Sequence, residues 1–386
     1  MRDAVICAAV RTPVGKRGGG LSGVHAVDLS AHVLENLVER AGIDPAVIED
    51  VIWGCVSQVG EQTFNIARSA ALAAGWPEQV PGTTVDRQCG SSQQAVAFGA
   101  ATVISGQADV VVAGGVEMMS RVPMGSASNP ATGAGRPMGP RFGERYKGVP
   151  INQGIGAEMI AERWGFSRTQ LDEFSLASHE KAAKAQADGA FEEEIAPVTT
   201  PEGVVSADEG IRPGGTLEKL GSLKTPFKEG GVISAGNASQ ISDGSAALLI
   251  TTSEKARELG LTPLVRIHTT VMAGDDPVIM LTAPIPATKK VLERSGLSID
   301  DIGVYEVNEA FAPVPMAWLA DIGADADKLN PHGGAIALGH PLGGSGARLM
   351  TTMIHRMRNT GTRYGLQTMC EGGGMANATI LELIDA

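Results

Sequence analysis

The chain has 386 residues, 43% of them hydrophobic and 19% charged, which suits two or three packed cores and excludes a disordered polymer. A formal net charge of −12 argues against unspecific nucleic-acid or anionic-membrane binding, since both need a basic field. Cys7, Cys55, Cys89 and Cys370 are the only cysteines and include no CxxC pair, so no metal site is expected and reduced thiols in a cytoplasmic protein are.

From Met1 the chain enters an apolar, strand-like run, with no charged leader and no stretch long enough for a bilayer. Gly18-Gly19-Gly20 lacks the flanking strand and helix of a nucleotide loop. Residues 37–43 and 291–297 read alike: each is an amphipathic helix stopped by a glycine, followed by an acidic turn and an apolar strand at 51–53 or 304–307. The likeness continues. Cys89 precedes a helix to about residue 105, a strand at 108–113 and Gly-Gly; His340 precedes a helix at 346–357, a strand at 364–369 and Cys370-Glu371-Gly-Gly-Gly. Alternating strands and helices predict duplicated α/β halves with mostly parallel sheets and loops converging on one face.

Residues 117–239 have no counterpart in the second half. They are rich in Gly, Pro, Ser and Met up to residue 154, then carry two helices at 157–164 and 169–189, and are expected to cover the shared face as a lid. The expected domains are 1–260, containing this insertion, and 261–386.

Four separated blocks carry reactive groups: Val-Asp-Arg-Gln-Cys-Gly-Ser-Ser at 85–92, Val-Asn-Glu-Ala-Phe at 307–311, Gly-Gly-Ala-Ile-Ala-Leu-Gly-His-Pro at 333–341 and Met-Cys-Glu-Gly-Gly-Gly at 369–374. Cys89 at a helix start would have its thiolate stabilised by backbone N–H groups; the plain alternative is a buried apolar cysteine. His340, in a glycine-rich run, can take a thiol proton. Cys370 sits beside Gly372, whose N–H and those of its neighbours suit an oxyanion. Asn308 could hold a water or carbonyl, or simply be a turn asparagine. Arg212, Lys224 and Lys228 could meet phosphates or form a solvated charge cluster.

On these blocks, with Ser-Ala-Gly-Asn-Ala-Ser at 234–239, the chain resembles the thiolase family along nearly its whole length. The resemblance implies a duplicated, five-layered αβαβα fold and coenzyme A thioester substrates. It implies an acylated nucleophile at Cys89, its base at His340 and a second acid/base at Cys370. One oxyanion hole would use His340 and a water on Asn308; the other would use the N–H groups of Cys89 and Gly372. Coenzyme A would be a co-substrate, with no permanently bound cofactor, contacting Arg212, Phe227, Ala235 and Ser239. A homodimer or homotetramer is implied. The lead expectation is degradative 3-ketoacyl-CoA cleavage, with acetoacetyl-CoA synthesis or silent CoA-ester binding as alternatives. Asp86, Ser92, Asn152-Gln153, Leu281, Ala283, His332 and Glu371 depart from the family pattern, and Leu281, Gln153 and Glu371 predict a reshaped acyl pocket favouring a bulkier or oxygenated group than acetoacetyl.

Overall fold

The computed structural model describes residues 2–384 apart from Arg136 and Pro150; Met1 and the last two residues, at the outer ends of the two expected domains, lie outside them. The main strands are β1 (Val5–Arg11), β2 (Asp50–Gly54), β3 (Gly82–Val85), β4 (Val110–Met118), β5 (Ser242–Thr251), β6 (Val265–Gly274), β7 (Val304–Val307), β8 (Tyr364–Glu371) and β9 (Met375–Leu383). The main helices are α1 (Ala26–Ala41), α2 (Ser91–Ser105), α3 (Gln153–Trp164), α4 (Arg168–Ala187), α5 (Pro284–Ser295), α6 (Pro313–Ile322) and α7 (Ser345–Thr360). None of the helices among the described residues is long and apolar enough to cross a membrane.

The strands run in the order β7-β8-β9-β6-β1-β5-β4-β2-β3. In the first half, β2 pairs parallel with β3 and β4, whereas β5 is antiparallel to both β4 and β1. The second half repeats this: β7 is parallel to β8, and β9 is antiparallel to β8 and β6. Even the place of β3 is echoed, by a parallel bridge between Tyr305 and Leu329. The halves join where Val5 and Ile6 of β1 meet Arg266 and Val265 of β6. The duplication expected from the sequence is therefore present, but each half-sheet is mixed, not mostly parallel. β5 is buried along its whole length, so its apolar run carries no sign of its direction.

Side chains alternating along each strand feed two cores. Val51, Val112 and Leu249 face α1, against Leu29, Val33 and Leu37; Ile52, Val111 and Leu248 face the other way, against Ala95 and Val96 of α2 and Met350 and Met353 of α7. The α2–α7 layer is thus shared by both half-sheets. Its helices touch at close range: Ala347 N–H donates to Ser92 Oγ at 2.9 Å, and a Cβ on Gly346 would collide with the Gln93 backbone. Outside the second half-sheet, Val291 of α5 and Trp318 of α6 pack on Val271, Leu366 and Ala378. The result is five layers, helix–sheet–helix–sheet–helix. Gly42 and Gly296 end α1 and α5 with left-handed φ of 68° and 74°, the glycine stops foreseen in the sequence.

Between β4 and β5, α3 begins at Asn152, which accepts from Gly154 N and Ile155 N, and α4 begins with a Ser167–Gln170 capping box. Ala157, Ile160 and Leu171 from this segment enter an apolar cluster with Leu281, Phe311, Ile336 and Cys370, so it does lie over the strand ends. Asn152, noted as a departure, is spent on capping.

Candidate active site

Three of the reactive blocks lie at strand carboxyl ends, where a twisted α/β sheet opens a crevice, and the fourth follows a single bridge residue. Cys89 comes after β3, Asn308 after β7, and Cys370 at the end of β8, inside the strand and not after it. His340 follows the segment that bridges β7 at Leu329.

The Cys89 loop is held by its own polar groups. Gln88, at φ 47°, donates its N–H to Asp86 Oδ1 at 2.7 Å; Arg87 N–H donates to Ser91 Oγ at 2.9 Å, and that hydroxyl donates to Gln88 O at 2.6 Å. From β9, Asn377 Nδ2 donates to Gly90 O at 3.0 Å. The sulfur receives backbone N–H groups from Cys89 itself and from Gly372, the pair expected as one oxyanion hole. They do not yield a resting thiolate. Burial and then the nearby Glu371 push the thiol up to about 12, outweighing the N–H groups at the helix start. The sequence expectation of a stabilised thiolate is corrected accordingly: Cys89 rests as a thiol.

Cys370 is buried, and its thiol is raised well above the ordinary range by burial, then by Cys89 and Glu371. Asn308 is tied to the same strand, its N–H donating to Thr368 O at 3.1 Å. Its Nδ2 lies 3.3 Å from His340 Nε2, while its buried Oδ1 has no partner among the described residues. His340 is buried and pushed down to about 3, by burial first and by Arg348 second, so the imidazole is neutral. Its Nδ1 lies 2.6 Å from Ser345 Oγ and its N–H donates to Ser242 Oγ at 3.1 Å.

The residues expected at coenzyme A all lie in the segment before β5. Ser239 N–H donates to Ala310 O at 2.9 Å, and Phe227 packs edge-on against Phe311 with centroids 6.1 Å apart. A Cβ on Gly154 would collide with the Phe227 ring. Ala235 is exposed, as is Arg212, whose Nη2 is 3.4 Å from Oε1 of Gln240, the residue after Ser239. Lys228 pairs with Glu162 at the surface, as a solvated cluster would.

Two buried carboxylates escaped the sequence reading. Glu117 accepts from Val56 N, Ser57 N, Gln62 Nε2 and Gly343 N, anchoring the loop after His340. Glu309 accepts from Ser178, Asn330 and Ile336 N, bracing the segment that leads to His340. Their partners are scattered along the chain, so spacing could not signal them. Among the departures, Ser92 links the central helices, His332 packs on Phe191 and meets Arg356 at 3.1 Å, and Leu281 is buried in the Cys370 cluster. Glu371 does not open onto a cleft: both carboxylate oxygens are enclosed beneath the Cys89 loop.

Comparison with known proteins fits this constellation. Family models for the thiolase N-terminal and C-terminal domains match residues 4–254 and 261–383. The chain belongs to the thiolase family. It is 52% identical to a steroid 3-ketoacyl-CoA thiolase, FadA6, of Mycobacterium tuberculosis, over 99% of this chain and 94% of that one. It is 46% identical to a beta-ketoadipyl-CoA thiolase of Escherichia coli over the full length of both. A crystal structure of a Bacillus anthracis acetyl-CoA acetyltransferase superposes with a TM-score of 0.91 at 38% identity, covering 100% of this chain and 99% of that one. This thiolase is accordingly an acyltransferase.

Proposed function

We propose that this thiolase cleaves a 3-ketoacyl-CoA with free coenzyme A, giving acetyl-CoA and a shortened acyl-CoA in lipid or sterol degradation. Cys89 attacks the 3-keto carbon while His340 Nε2 takes its proton. The C2–C3 bond breaks, and Cys370 protonates the departing acetyl-CoA carbon. The acyl group stays on Cys89 until the thiol of coenzyme A, giving its proton to the Cys370 thiolate, attacks it; the Cys89–acyl bond then breaks and Cys89 takes its proton back from His340. The N–H groups of Cys89 and Gly372 receive the oxyanion on the acyl group bound to the sulfur; His340 and a water held by Asn308 receive the enolate oxygen.

One observation carries this reading: the Cys89 sulfur sits against Cys370 and the Gly372 N–H, with the neutral His340–Asn308 pair tied to the same strand. Coenzyme A is the co-substrate, lying along Arg212, Phe227, Ala235 and Ser239, and no cofactor is permanently bound. The acyl group is bulkier than acetoacetyl, in keeping with the steroid-processing relative. Four unpaired cysteines suit a reducing cytoplasm. The edge strand β3, with Phe64 nearby at 91% exposure, suits a homodimer or homotetramer.

The test is thiolysis across acetoacetyl, long straight-chain and ring-containing 3-ketoacyl-CoA esters, with intact-mass detection of the acyl-enzyme. Wild type should gain an acyl adduct and Cys89→Ala should not. An adduct on Cys89→Ala, or full thiolysis by it, overturns the assignment.

A further inference from the structure

Glu371 stands between two groups of the reacting set on the chain, Cys370 before it and Gly372 after it, yet the mechanism above gives it no role. Its side chain turns under the Cys89 loop. Gly90 is what admits it: a Cβ there would collide with Glu371 Oε1 and lie 2.8 Å from Asn377 Nδ2. Asn377 is the residue that ties Gly90 to β9, so carboxyl, amide and nucleophile loop meet at one point.

The carboxyl is fully buried, and among the described residues no regular hydrogen bond reaches either oxygen, the Asn377 backbone N–H pointing toward it without closing one. Arg87 Nη1 is 4.0 Å from Oε2, beyond hydrogen-bond reach, and Arg87 itself is partly open to solvent. Asp86 opposes Arg87 with a like charge. Asn377 Oδ1, a further acceptor, also lacks a donor. A buried carboxylate in such a place is costly, whereas a carboxylic acid brings the one proton that a pocket of acceptors needs.

We propose that Glu371 is a positioning residue of the Cys89 loop that is protonated in the active enzyme, and that its ionisation weakens the nucleophile. The proposal rests on the thiolase mechanism above. Burial, outweighing Arg87 and the Asn377 backbone N–H, pushes Glu371 up to about 8, so the acid form prevails at neutral pH. Its negative charge disfavours a thiolate at both Cys89 and Cys370. The groups facing it are Arg87, Asp86 and Cys89 from the loop and Cys370 from its own strand; β9 contributes only the neutral Asn377. A glutamate here therefore leaves the site neutral while the sulfur gives up its proton, and restrains the sulfur once it ionises.

The experiment is the pH dependence of Cys89 alkylation by iodoacetamide, located by peptide mass, between pH 6 and 10. It needs no substrate, so it is separate from the acyl-adduct test of the catalytic reading. In wild type the rate should climb with pH, flatten near pH 8 as Glu371 ionises, then climb again. Glu371→Gln should match wild type at pH 6, show no flattening, and react about threefold to tenfold faster at pH 9, the effect of up to roughly one pK unit on the thiol. Arg87→Gln, which removes the facing cation, should move the flattening to higher pH. Superimposable profiles for wild type and Glu371→Gln overturn the proposal. Should Glu371→Gln not fold, Arg87→Gln decides: an unmoved inflection overturns it.

Discussion

His340 Nδ1 lies 2.6 Å from Ser345 Oγ, and the Ser345 hydroxyl donates its proton to Pro341 O at 2.8 Å. A hydroxyl that has spent its single proton can only accept, so Nδ1 carries the hydrogen and Nε2 keeps its lone pair. Ser345 thereby selects the tautomer that the proposed deprotonation of Cys89 requires. Ser345→Ala removes one neutral hydrogen bond, worth about 1 kcal/mol. Single-turnover acylation should slow about fivefold to tenfold with little change in KM. Unchanged acylation would mean that the ring finds its tautomer without the serine.

The two thiols should separate by step. Cys370→Ala should still take an acetyl group from acetyl-CoA onto Cys89, because that step makes no carbanion. Its thiolysis rate should fall by about 10²–10⁴, the usual contribution of a general acid or base. Mass spectrometry reads the first and absorbance of the 3-ketoacyl thioester the second. Near-normal turnover would remove Cys370 from the chemistry.

Stability should be confined from both sides by groups buried neutral. His340 is held near 3 against an ordinary 6.5, so its contribution is full above about 6.5 and is lost as pH falls toward 3. Glu306 is fully buried with both oxygens unpartnered, and burial pushes it up to about 8 despite Arg348. Its contribution is full below about 4.5 and is lost as pH rises through 8. Glu306→Gln should match the wild-type Tm near pH 4.5 and exceed it by a growing margin up to pH 9. A wild-type Tm that stays flat to pH 9 would count against a neutral Glu306.

Legibility in the sequence followed the range of the interactions. Glycine stops at Gly42 and Gly296, the Ser167 cap and the repeated helix–strand order are local, and each is found where expected. The reactive blocks could be read because each is a short run around one strand end. Strand direction was lost because a doubly buried strand such as β5 has no polar face to betray it. The proton state of Cys89 was lost too: the helix start favours a thiolate, but tertiary burial outweighs it, and Glu371 acts from a distant part of the chain. Long-range partners also hid Glu117, which is 61 positions from Val56, 55 from Gln62 and 226 from Gly343.

Arg212 is exposed; its backbone N–H donates to His179 Nδ1 at 3.1 Å, while among the described residues its guanidinium makes one long contact, to Gln240, so the charge can meet an anion at little structural cost. Arg212→Ala should raise the KM for coenzyme A roughly fivefold, as loss of an exposed charge contact worth about 1 kcal/mol would. Its kcat should hold. A pantetheine thioester lacking the nucleotide phosphates should show no such rise. Equal losses with both substrates would place Arg212 away from the phosphates.

Leu281 tests the acyl pocket most directly. It follows Met280, at φ 61°, and lies buried in one apolar cluster with Cys370, Phe311 and Ile336. Leu281→Ala must then have two consequences. As a core truncation it should destabilise the protein by about 2–5 kcal/mol. As a wall of the acyl site it should also open space beside Cys370. A short acetoacetyl group loses contact there and a bulky group gains room, and a few methylenes are worth about 1–3 kcal/mol in discrimination. The ratio of kcat/KM for a ring-containing 3-ketoacyl-CoA over acetoacetyl-CoA should therefore rise about tenfold. A lowered Tm with an unchanged ratio would restrict Leu281 to packing and move the specificity determinant elsewhere.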